Sequence, residues 1–521
     1  MLPASISTVA AACFIGPPPK FSPDVRPSPK AVAATGASAV SPQSSDFVDA
    51  GGSAPIEWQR KAALAAITEF YAQNLAVVGP STAHRRPDEL KRLVETFSTG
   101  VVPQAEGYIN SLPLDLAPPV TASDGGLTLG EASRPLPSAT ATPAPTSASS
   151  DVPFFCWGAS LCFPLNYAMA TYAYDMVCVE YNLAVCELQL ARLHIRLING
   201  ASARRPQSMP IATATEATEA EVTKRAYHLS LSAADRFQRC KGLAESHLQP
   251  YLHSRPGHPD VHADTHPLAF EALKCIALAQ AQMIGWAKVA VTCLPMTAKT
   301  TAKDSLACKL AHQCAILWQR AVDAMKGVPS ASSGTQAGGA HLDGGGGAFQ
   351  LLGSLATCYA NGFFAIAHSL NARMLLDQDA VQAVIHAMCS RAYVAAAKQS
   401  IEPSLVSLEA GAGTAAFTTM AQPPSSSSHP RAKLQVIDAT DLCVAFATMT
   451  QNVASSINDA VEYINRFAMN AKLDEGTARA FTASPEAAAT RQRGSLPAPS
   501  ELARPKRFNL QEATRSAAPS P

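Results

Sequence analysis

Apolar residues at helical spacing recur along this chain in runs of about 20 to 30 residues, while short alternating strand patterns are scarce. A helix of that length cannot stand alone in water and must bury one face against a neighbour. The runs follow one another closely. "PIEWQRKAALAAITEFYAQNLAVVG" keeps Ala62, Ala65, Ala66, Phe70 and Leu75 at helical spacing, and "RPDELKRLVETF" is a second, amphipathic helix. A long helix is predicted over about 166–198 and another over "TEAEVTKRAYHLSLSAADRFQRCKGLAESHL". Further helices are predicted from about 268, and over about 303–326, 349–376, 378–399 and 439–472.

Between these runs lie stretches that carry no apolar period. Residues 1–54 form a Pro/Ser/Ala-rich leader, and low-complexity inserts fall at about 118–152, 328–346 and 412–432. Such segments bury too little to offset the entropy of ordering and are expected to be disordered. The 39 prolines and 29 glycines crowd into them. One helical domain over 55–475 is therefore expected, followed by a tail over 476–521 that is partly packed or disordered. The fold class is mainly α: antiparallel helix pairs stacked into an irregular solenoid, without a strict repeat length.

The same sequence excludes several kinds of chemistry. A formal net charge of +1 offers no global field for nucleic acid, so no nucleic-acid partner is expected. Thirteen cysteines contain no CxxC pair, and Cys178, Cys275, Cys358 and Cys443 sit in apolar runs, as reduced buried thiols do. The first residues lack a basic region ahead of their apolar run, so no signal peptide is expected. No uncharged apolar stretch is long enough to span a bilayer. "HSRPGHPDVHADTH" gathers His253, His258, His262 and His266 with Asp260 and Asp264, a set that could hold zinc on a helix. Pro256, Gly257, Pro259 and Pro267 break any helix there, so an exposed loop is the expectation. "GGAHLDGGGGAF" lacks the lysine and the strand of a phosphate loop, and no GxSxG setting occurs. The chain is read as no enzyme, with no cofactor and no metal.

Four segments in order carry a resemblance. Phe155 and Trp157 in "FFCWGASLCF" precede Tyr174, Asp175, Val179, Tyr181, Asn182, Ala184, Gln189 and Ala191 in "YDMVCVEYNLAVCELQLA". Ala279–Gln282 and Lys288 follow in "LALAQAQMIGWAKVA", and then Lys303, Lys309, Leu310, Ala311 and Gln313 in "KDSLACKLAHQ". In this order the segments resemble the BRO-one domain family of the Alix and rhophilin type. Glu180 departs from it, standing where the family prefers an aliphatic residue.

The resemblance implies a boomerang-shaped domain with a tetratricopeptide-like helical core and a small or absent N-terminal β-sheet. It also implies a non-enzymatic adaptor that binds the C-terminal amphipathic helix of the main ESCRT-III filament subunit. Such a protein would act in endosomal sorting or membrane remodelling, as a cytoplasmic protein recruited peripherally to endosomal membranes. The alternative is a generic helical-repeat scaffold for a different partner. Carried over by motif position, the groove anchors are Leu306 and Leu310, with Lys224 as a cationic rim. Gly285 lies where a family aromatic lines the groove, beside Trp286. Pattern adds Leu317: Leu306, Leu310 and Leu317 form one apolar stripe, and Ala307, Ala311, Cys314, Trp318 and Ala321 a second beside it. Either the leucine stripe awaits a partner helix, or both stripes are core. Trp286 likewise either lines the groove or fills the gap left by Gly285.

Overall fold

The computed structural model describes residues 54–75, 87–112, 155–158, 166–169, 171–203, 213–250, 265–293, 302–328, 347–375, 378, 380–412 and 496–498. The leader and most of the three inserts lie outside the described residues, as do the helix expected at 439–472 and His253, His258 and His262.

The described chain begins with three short helices, α1 (Ala54–Phe70), α2 (Pro87–Thr96) and α3 (Val102–Ser111). A two-stranded antiparallel hairpin follows, β1 (Phe155–Gly158) with β2 (Asn166–Met169), pairing Trp157 with Tyr167. Long helices complete the array: α4 (Tyr172–Ala203), α5 (Thr213–Leu243), α6 (Pro267–Cys293), α7 (Ala302–Lys326), α8 (Gly347–Leu375) and α9 (Ala380–Ala412). Each long helix packs chiefly on its neighbours in sequence, from α4 on α5 through to α8 on α9. That is the mainly α solenoid expected from the run of helical periods. The small sheet is present, and the Phe-x-Trp motif lies on its first strand.

Antiparallel register is legible in the side chains that bridge the pairs. Lys241 meets Glu271 at 2.9 Å and Lys274 meets Gln238 at 3.0 Å, so α5 and α6 run in opposite directions. Cys308 donates to the Ala367 carbonyl, and Trp318 packs at a tilt against Tyr359 with centroids 4.8 Å apart, fixing α7 against α8. Ser390 donates to the Ala365 carbonyl at 2.8 Å, fixing α8 against α9.

Helix α6 starts where its cap dictates. His266 Nδ1 accepts the Leu268 N–H at 3.1 Å, and its carbonyl accepts the N–H groups of Ala269 and Phe270. Pro267 at the first helical position has no N–H to satisfy. This histidine of the His-rich segment is a cap. The Pro267–Ala290 stretch of α6 is long and apolar enough to cross a bilayer, but it is mostly buried as the central helix between α5 and α7.

Helix α4 is buried on every side from Ala173 to Ile195, and its charged residues are therefore enclosed with it. Each needs a partner, because an unpaired buried charge is costly. Asp175 receives four donors: Arg60 Nε and Nη2 at 3.0 and 2.9 Å, Tyr108 Oη at 2.5 Å, and Trp157 Nε1 at 2.7 Å. One carboxylate thus joins α1, α3 and β1 to α4. Arg236 of α5 enters between Glu180 and Glu187, at 2.9 Å from each, and also reaches Glu106 of α3 at 3.2 Å. Arg239 adds a contact to Glu180 at 3.0 Å, so the residue that departs from the family pattern is the acid of a buried ion network.

The nine cysteines whose side chains the structure describes are free, and all are buried except Cys156, which is half-buried. Burial pushes the Cys275 and Cys308 thiols up to about 12, which keeps them protonated and unreactive.

Candidate functional site

The structure divides the expected patch. Leu310 is 0% exposed and Leu317 2%, so both are core residues of α7. Helix α7 packs against α6 on one side and α8 on the other, and an inner helix contacted on two sides buries both of its apolar stripes. Trp286 is also core: it is 0% exposed, and its ring meets Phe363 of α8 edge-on at 5.3 Å. Gly285 is half-buried beside it. The sequence expectation that Leu310, Leu317 and Trp286 form a docking surface is corrected on these grounds.

Leu306 is different. It is 40% exposed, one of two large hydrophobic residues among the described residues that face solvent, the other being Trp58. Lys303 and Lys309 stand three residues to either side of it, on neighbouring positions of the same helix surface. Lys303 is exposed and Lys309 half-buried, while Asp304 turns inward and lies 4.0 Å from Arg373 of α8. The register set by Lys241–Glu271 and Lys274–Gln238 brings Lys224 of α5 level with Lys288 of α6, and both are exposed. Leu268 of α6 lies against Gly327, just past the end of α7, a register that places Lys288 level with the turn carrying Leu306. The nearby carboxylate of Glu221 is paired with Arg225 at 2.7 Å.

Leu306 is therefore an exposed apolar residue flanked on α7 by Lys303 and Lys309, with Lys224 and Lys288 exposed at about the same level of α5 and α6. Such a surface suits an amphipathic helix that carries an apolar residue beside carboxylates. It holds no nucleophile–base pair, and among the described residues no three His, Cys, Asp or Glu side chains gather to hold a metal ion. The sequence singles out Leu306 and Lys224 and leaves Lys288, Lys303 and Lys309 as motif matches without a role. The Lys–x–x–Leu–x–x–Lys spacing was the available signal, since it sets an apolar residue between two cations on one face.

Residues 151–404 match the family model of the BRO1-like domain, a span that runs from just before β1 into α9. The chain carries a BRO1-like domain. It includes the Leu306 surface and every long helix through most of α9, whereas α1–α3 precede it, with α1 and α3 joined to it through Asp175. No curated protein matches. Among solved structures, the chain is similar to a crystal structure of ALIX in complex with the SIVmac239 PYKEVTEDL late domain. Identity is 13% and the TM-score 0.39, over 95% of this chain and 49% of that one, so this chain spans about half the length of the ALIX chain.

Proposed function

We propose that this chain is a non-enzymatic, ESCRT-associated adaptor whose BRO1-like domain binds the C-terminal amphipathic helix of the main ESCRT-III filament subunit. Its place of action is the cytoplasmic face of endosomal membranes. The observation that carries the reading is the exposed Leu306 flanked by Lys303 and Lys309, inside the span of the family match. The leucine supplies the apolar anchor, and the lysines select a helix with acidic residues and speed its encounter.

The test is the affinity of the full chain for a peptide of that ESCRT-III helix, before and after Leu306→Asp. A desolvated anchor is worth about 2 kcal/mol, so binding should weaken roughly 30-fold or more. Reversing two cations, in Lys224→Glu with Lys303→Glu, should slow association and reduce its salt dependence. Unchanged affinity in folded Leu306→Asp would remove this surface as the docking site. If the wild type does not bind the peptide at all while retaining other protein partners, the chain is a helical scaffold of a different specificity.

A further inference from the structure

Far along the chain from the long helices, residues 496–498 return to the array. Leu496 is 6% exposed and belongs to the common apolar core, Pro497 is half-buried and Ala498 is exposed. The Pro497 carbonyl lies 3.0 Å from His312 Nδ1 on α7. A carbonyl only accepts, so Nδ1 carries the proton in this bond. The His312 ring faces Phe364 of α8 at 6.0 Å, and Phe364 in turn stacks on Tyr393 of α9 at 5.2 Å. The seat thus has an aromatic wall drawn from three consecutive helices, one apolar anchor position and one polar handle.

We propose that α7 carries at His312 a binding seat for an extended peptide presenting leucine followed by proline, and that Leu496–Pro497 fills it in cis. Three features favour an occupant of this chemistry. Leu496 precedes Pro497 and Ala498 precedes Pro499, and a residue before proline is held extended, so the ligand arrives with little conformational freedom to lose. Proline has no N–H of its own to satisfy, so the single donor that His312 gives to its carbonyl serves as the polar handle. The leucine enters the core while the chain two residues on is already in solvent, which is how a peptide anchors in a pocket and leaves it.

The consequence is self-occupancy. A ligand on the same chain rebinds intramolecularly, so a free peptide of like sequence competes poorly until the resident one is displaced. A partner bearing an extended Leu-Pro segment would then exchange with the chain's own. The inference is independent of the partner assigned to Leu306, and its test uses no ESCRT-III peptide.

The experiment measures binding of a labelled peptide of residues 491–501 to the full chain. Wild type should bind weakly, and Leu496→Ala, whose resident segment has lost its anchor, should bind at least tenfold more tightly. A peptide with aspartate in place of the leucine should not bind, and His312→Phe, which keeps a ring beside Phe364 but removes the donor, should reverse the gain. Equal binding by wild type and a folded Leu496→Ala overturns the proposal, as does equal binding of the two peptides. A second variant serves if Leu496→Ala does not melt cooperatively. Leu496→Val, a milder loss of the anchor, should still bind the peptide several-fold more tightly than wild type; equal binding overturns the proposal as well.

Discussion

The α4 end of the array and the α8–α9 seam both enclose polar groups, but by opposite means. Around α4 the polar interior is charged: Asp175, Glu180 and Glu187 meet Arg60 and Arg236 in contacts of 2.9–3.0 Å. Burial alone would lower the Arg236 pKa, and the carboxylates of Glu187 and Glu180 outweigh it and hold the guanidinium charged. Between α8 and α9 the polar interior is neutral. His368 and His386 face each other with their Nδ1 atoms 2.8 Å apart, and Asn371 Nδ2 lies 2.9 Å from His386 Nε2. Burial lowers His386 to about 4, and burial together with the neighbouring His386 and His312 lowers His368 to about 3. The charged end joins elements far apart in sequence with directional bonds. The neutral seam joins adjacent helices by stacking, His368 on Tyr393 at 5.5 Å, and needs its imidazoles uncharged.

The difference can be broken most severely at Asp175. Asp175→Ala leaves Arg60 buried without its carboxylate and removes the acceptor of Tyr108 and Trp157 at once. Breaking a buried ion pair costs about 3–5 kcal/mol. The loss should appear in urea unfolding as a lower midpoint and in hydrogen exchange as faster opening of α1 and α3. A midpoint within error of wild type would show that the hub adds nothing to the joint. Arg236→Met should act similarly at the α4–α5 seam, since Glu180 and Glu187 are then buried together without their shared cation.

Acid should distinguish the two regions. An ordinary histidine titrates near 6.5, so above that pH His368 and His386 are neutral in the folded and unfolded chain alike. Below it the unfolded chain takes up protons that the folded pair refuses, and stability falls with pH until the folded values near 4 and 3 are reached. Each histidine contributes a slope of at most about 1.4 kcal/mol per pH unit, so the pair should cost about 2 kcal/mol between pH 7 and pH 5.5. His386→Gln should halve that slope. An unaltered slope in this variant would place the proton uptake elsewhere.

How much of this was legible beforehand follows from the range of each interaction. The long helices were legible, because apolar period is a local signal and tertiary packing agreed with it. The start of α4 was not: residues 166–169 read as helix but pair with 155–158 as a strand, a contact no helical window contains. Helix α3 was missed because Pro103 and Gly107 weaken its period. The roles of Asp175 and Glu180 were invisible for a different reason, since their partners stand as far away as Arg60 and Arg236. At the proposed docking surface the motif placed Leu306 and Leu310 together, and only the packing of α7 between two helices tells them apart.

That separation gives the smallest expected effect on stability and the sharpest contrast. At Leu310 an aspartate would set a carboxylate in a fully buried position with no cation paired to it, and the protein should unfold or aggregate. At Leu306, one turn earlier, the same change should leave the melting temperature nearly where it was. The side chain is 40% exposed, so little apolar burial is lost. The new carboxylate would stand three residues from Lys303 and from Lys309, pairs that contribute about 0.2–0.5 kcal/mol each on a helix surface. Gain and loss nearly cancel, and an exposed substitution of this kind stays within about 0.5 kcal/mol of wild type. A thermal melt of the two variants side by side checks the contrast. Leu306→Asp melting far below wild type would mean that this leucine is already covered, leaving the flanking lysines without their anchor.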